Sequence, residues 1–128
     1  MTGARGEAII ERGDIEYRVL FTNRALAEAE SATGKSILVI ARGFVNGATG
    51  IGDVAQLLSI GLEAARRDSK SGGPQGRAYT LADAYRIMDE VGFTAVARAV
   101  MESIAVVIRY DGDDDTARND AERESPNA

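Results

Sequence analysis

The sequence predicts an α+β domain in which an N-terminal β-hairpin packs on a mostly helical body of about four helices, followed by a disordered acidic C-terminal tail. Three observations carry this expectation. Two β-rich stretches near the N-terminus flank a short Gly-containing connection; from Asn23 onward apolar residues recur at helical spacing between recognisable caps; and the residues from Asp111 to Ala128 are polar and acidic. With 128 residues, 45% of them hydrophobic, the chain can bury one core of ordinary size and is too short for two. The expected division is one domain over 1–110 and a tail over 111–128.

Ala8-Ile9-Ile10-Glu11 is the first strand, and Ile15 to Phe21 is the second, with Tyr17, Val19 and Phe21 alternating against Glu16, Arg18 and Leu20. Arg12-Gly13-Asp14 between them reads as a hairpin connection. Those three residues also spell an adhesion motif, but a tight turn accounts for the glycine by itself. Thr22 or Asn23 then caps a helix from Arg24 to Thr33 that stops at Gly34. Ile37 to Arg42 reads equally as helix or strand, and Gly43 to Gly52 as a glycine-rich connection. The clearest helix runs from Asp53 to Arg67, where Val54, Leu57, Leu58, Gly61, Leu62 and Ala65 fall on one stripe. Asp68 to Gly76 is an expected exposed loop. Thr80 and Asp83 open a helix from Leu81 to Val91, with Leu81, Ala84, Tyr85 and Met88 inward and Gly92 as its end. Thr94 caps a last helix through about Tyr110, apolar on nearly every side, which is either the central core helix or in part an association surface.

Composition narrows the chemistry. There is no cysteine and no histidine, so thiolate nucleophiles, disulfides and the commonest general base and metal ligand are all missing. The expectation is a protein-binding module and not an enzyme, without cofactor or metal. No apolar run approaches the roughly 20 residues of a membrane span, and Met1 to Glu7 lacks the apolar core of a signal peptide; a cytoplasmic location is expected. The tail holds seven acids against Arg118 and Arg123, which accounts for the whole formal charge of −5. The preceding residues balance thirteen acids with thirteen bases, so no basic stripe for nucleic acid stands out.

Three stretches imitate functional motifs and fail on context. Ala29 to Ser36 ends in Gly34-Lys35-Ser36 like a phosphate-binding loop, but Ala29 replaces the first glycine and a helix precedes it where a strand is needed. Gly47-Ala48-Thr49-Gly50-Ile51-Gly52 lacks the spacing of a dinucleotide-binding turn, and the chain lacks room for the repeated βαβ units. Asp111 to Thr116 with Glu122 imitates a calcium loop, with Thr116 where the turn glycine belongs. The carboxylate pairs Glu28/Glu30 and Asp89/Glu90 read as solvated helix faces, and no serine sits with a base.

The order of elements, taken with Tyr17 to Glu30, Gly34-Lys35-Ser36, Asp53 to Leu62, Thr80 to Ala84 and Asp89 to Gly92, resembles the tail assembly chaperones of tailed phages and gene transfer agents. The resemblance spans roughly Gly6 to Tyr110; the Lys70 to Gly76 loop and the acidic tail depart from it. It implies a small cytoplasmic factor, absent from the finished particle, that coats the helical tape-measure protein and helps bring tail-tube protein to it. The alternatives are a structural tail component, such as a tube or connector subunit, and an unrelated helical adaptor; homo-oligomerisation is left open. Such a chaperone needs apolar surface on a soluble body, and Val96, Val100, Ile104 and Val107 on the last helix form the expected partner-binding stripe.

Overall fold

A computed structural model describes residues 5–69 and 77–109. The expected acidic tail and its calcium-like stretch, most of the Asp68 to Gly76 loop, and the end of the last helix at Tyr110 lie outside these residues. Among the described residues two strands and five helices follow one another: β1 (Gly6–Arg12), β2 (Ile15–Phe21), α1 (Asn23–Thr33), α2 (Ile37–Asn46), α3 (Ile51–Ser69), α4 (Leu81–Val91) and α5 (Phe93–Arg109). The architecture is α+β, a hairpin on a helical body, as the composition and periodicity lead one to expect.

The hairpin is antiparallel and in register from Gly6 opposite Phe21 to Arg12 opposite Ile15. Only Gly13 and Asp14 lie between the strands, and Gly13 takes φ +61°, the left-handed conformation a tight turn requires. One face pairs Gly6 with Phe21, Ala8 with Val19 and Ile10 with Tyr17. Phe21, Val19, Ile10 and Tyr17 are buried there, while Ile9 on the other face is exposed. A lone two-stranded ribbon is marginal in water. Here α5 packs on β1 and α3 packs on β2, so both helices lie against the hairpin.

Two glycines let these layers approach closely. A Cβ on Gly6 would stand 1.7 Å from the Ser103 carbonyl oxygen of α5, and one on Gly61 of α3 would stand 2.9 Å from the Phe21 ring. Ser103 itself is buried, and its hydroxyl donates back to the carbonyls of Ala99 and Val100, so that hydroxyl is satisfied beneath β1.

The helix ends follow local chemistry. The Thr22 hydroxyl accepts from the Ala25 amide at 3.1 Å, and Gly34, at φ +74°, closes α1. Gly92 separates α4 from α5, whose axes turn by 118°. α5 begins at Phe93, so Thr94 lies inside the helix rather than capping it. On α4 the inward set is also corrected: Ala84, Ile87 and Met88 are buried, whereas Leu81 and Tyr85 are exposed. The reason is the direction from which α3, α5 and β1 meet α4, which local spacing does not specify.

Thr80 and Asp83 form a full capping box, with the Asp83 carboxylate accepting from the Thr80 amide at 2.8 Å and the Thr80 hydroxyl accepting from the Asp83 amide at 3.3 Å. Both guanidinium arms of Arg77 also reach Asp83, at 2.9 and 3.1 Å. Arg77 first, and the Thr80 bonds after it, hold the Asp83 carboxyl down at about 2 despite its burial. A carboxylate whose folded pKa is depressed adds stability above its unfolded pKa and loses it as pH falls through the folded value. Asp83→Asn is therefore expected to cost about 1–2 kcal/mol at neutral pH, a difference that shrinks between about pH 4 and pH 2. Urea melts of both proteins across that range check it; a constant difference would exclude the carboxylate as its source.

Candidate protein-binding surface

α2 is the least covered helix of the body. It packs against α1 and α5, and its only fully buried side chain is Ile40. Its ends are well fixed. The Ser36 hydroxyl accepts from the Val39 amide at 3.2 Å, and the Glu30 carboxylate accepts from the Ile37 amide at 2.8 Å. At the other end Gly47 takes φ +71°, and the chain folds back so that the Thr49 hydroxyl donates to the Ile40 carbonyl at 3.1 Å. Gly43 makes room for that return, since a Cβ there would lie 2.4 Å from the Thr49 hydroxyl. The stretch expected as a connection from Gly43 is therefore helical through Asn46, and Ile37 to Arg42 resolves as helix rather than strand.

A rigid helix thus displays apolar side chains to solvent: Leu38 is 56% exposed, Val39 49% and Val45 79%. Beside them an open cleft of about 330 Å³ lies between α2 and the first half of α5. Phe44, Val45, Phe93, Ala97 and Met101 line it, and Thr49, Thr94 and Arg98 contribute polar atoms. The cleft has room for apolar side chains, and the residues lining it include no titratable pair for acid–base work.

The four residues expected to form the partner stripe lie elsewhere. Val96, Val100 and Ile104 are fully buried and Val107 is 6% exposed. All four belong to the core cluster with the hairpin and α3, so they are packing residues and not a docking surface. α5 is apolar on nearly every side, and tertiary packing chose which side to cover; of its other apolar positions, Phe93, Ala97 and Met101 line the cleft.

The residues that imitate other sites have structural employment. Gly34 ends α1, Ser36 caps α2, and the Lys35 ammonium pairs with Asp53 at 2.5 Å, which leaves a helix–turn–helix in place of a phosphate loop. Glu28 pairs with Arg24 and Arg67, and Glu90 with Arg12 and Arg86. A second cleft of about 370 Å³ between β2 and α3 includes Glu16, Arg18, Arg66 and Tyr79. Its cations are already engaged. Arg18 bonds Glu7 and Asp68, and Arg66 bonds Glu63, whose carboxyl it holds below the usual range. Burial raises the Tyr79 hydroxyl above its ordinary value. Among the described residues no group of three or more His, Cys, Asp or Glu side chains is placed to hold a metal ion, and no single helix is long and apolar enough to cross a membrane.

Composition carries a signal for α2 that helical periodicity does not. Ile37 to Val45 is apolar except for Arg42 and Gly43, and a ten-residue helix of that composition at one corner of a small body cannot bury all its faces. In comparisons with known proteins, no family model, no curated protein and no solved structure matches this chain.

Proposed function

We propose that the protein is a tail assembly chaperone of a phage or gene transfer agent, a non-enzymatic cytoplasmic factor that holds the tape-measure protein during tail-tube assembly through its α2–α5 face. The observation that carries this reading is the exposed apolar stripe of α2 running beside an open apolar cleft on an otherwise well-packed body. Monomeric soluble proteins rarely leave contiguous apolar patches uncovered unless a partner uses them. A helix-in-groove contact suits a client that is long, helical and prone to self-association, and it requires no cofactor. The sequence resemblance over Gly6 to Tyr110 supplies the class of client; the groove supplies a means of holding it.

Affinity capture of the tagged protein from cells assembling the particle, with mass spectrometry of the eluate and of purified particles, tests the reading. The expected outcome is a long helical tape-measure protein in the eluate and none of this chain in the particles. Many copies of the chain in finished particles would replace the chaperone role with that of a structural tail component. Capture of a client unrelated to tails would replace it with that of an adaptor.

A further inference from the structure

Resting on the reading that the α2–α5 groove binds a helical client, we propose that it selects an amphipathic helix whose apolar stripe is flanked by acidic side chains. The described residues contain twelve lysines and arginines, and nine of them form ion pairs with carboxylates. The other three, Arg42, Arg98 and Arg109, form none among the described residues, and all three lie on α2 and α5.

Their placement is specific. Arg42 follows Leu38 by one helical turn and precedes Val45 by just under one, so it interrupts the exposed apolar stripe itself. Arg98 lines the cleft. Arg109 stands eleven residues after Arg98, three helical turns along the same line of α5. Opposing them, α2 carries no acid, and Glu102 is the one acid on α5. Among the described residues, the α2–α5 face thus carries a surplus of positive charge, in a chain of formal charge −5. Cations on the two helices that flank an apolar groove, unpaired among the described residues, favour an anionic partner and penalise a cationic one.

The same charges argue against two other occupants. A two-fold contact between copies of the chain would bring the α2 stripe, with its Arg42, against itself. The chain's own segment from Asp111 to Ala128 is acidic, but its apolar side chains are three alanines and Pro126, too small to fill a cleft of about 330 Å³.

The test uses the full-length protein and two synthetic helical peptides of about 20 residues, long enough to hold helical structure on binding. Both carry one leucine stripe, flanked by glutamates in the first and by lysines in the second. Fluorescence anisotropy should show the glutamate peptide binding at least about tenfold more tightly at low salt, with the gap narrowing as added salt shortens the screening length. The double variant Arg42→Glu with Arg98→Glu should reverse the preference with an unchanged thermal melt. Val45→Gln should weaken both peptides. Equal binding, preference for lysine, no binding of either peptide, or a preference that survives the charge reversal would each overturn the inference. So would a dimer of the free protein that Val45→Gln dissolves. Capture of a tape-measure protein without any charge preference removes this inference and leaves the chaperone reading standing, whereas failure of capture removes that reading as well.

Discussion

Ile104→Asp is expected to unfold the protein, with loss of the far-UV helical signal at about 25 °C, while Val45→Asp leaves the fold intact and abolishes client capture. Ile104 is fully buried in the cluster that joins α5 to the hairpin and α3. Its replacement forfeits about 1.5–3 kcal/mol of apolar burial. It also places a carboxylate where no partner waits, a cost of several kcal/mol more. Together these rival the whole stability of a domain of this size, typically about 5–15 kcal/mol. Val45 is 79% exposed, and a charge there is solvated, so a melting shift of only about 3 °C or less is expected. Circular dichroism melts of both variants, with capture run in parallel, check the pair. A folded Ile104→Asp protein that fails to capture would return the binding surface to the buried side of α5, and would reverse the assignment of the groove to α2.

The contact between Phe21 and Gly61 should show the next largest effects, and in opposite senses of volume. Phe21 is fully buried at the end of β2, opposite Gly6 and beneath α3. Phe21→Ala is expected to cost about 3–5 kcal/mol, because the ring fills space that Gly61 leaves for it. Gly61→Val attacks the same place from the other side. Its Cβ would meet the ring at 2.9 Å and the Val19 Cβ at 3.2 Å, and neither neighbour can retreat from a packed core, so about 2–3 kcal/mol is expected to be lost despite the better helix propensity of valine over glycine. Because both changes act on one volume, the double variant should be less destabilised than the sum of the two by about 1 kcal/mol or more. Chemical denaturation of the four proteins measures this; strict additivity would show that ring and glycine do not share the space.

Much of the local architecture could be read directly from residues. Thr22 and Gly34 bracket α1, Thr80 and Asp83 open α4, Gly92 ends it, and Val54 to Ala65 mark the buried stripe of α3, because caps and periodicity act within one or two turns of chain. The same local rules misjudged Leu81 and Tyr85, which lie at helical spacing from Ala84 and Met88 but at the edge of the face that α3 and α5 cover. They also left Ile37 to Arg42 undecided, since a short apolar run satisfies both periods.

What the sequence by itself determined is the class of the molecule: a hairpin, most of the helices with several of their caps, and a composition poor in the groups that catalysis and metal binding use most often. Which apolar residues became core and which became surface was decided only in three dimensions. α5 offers valine, isoleucine, alanine and methionine on almost every side, so its own sequence is nearly neutral as to which side turns inward. The choice falls to the hairpin, whose Gly6 lets β1 close on the Ser103 backbone and draws Val96, Val100, Ile104 and Val107 into the core. α2, held by Ser36, Glu30 and Gly47 at a corner where no further element among the described residues covers it, keeps Leu38, Val39 and Val45 exposed. Burial is a property of what stands opposite a side chain, and a hydrophobic residue carries no record of that in its own identity.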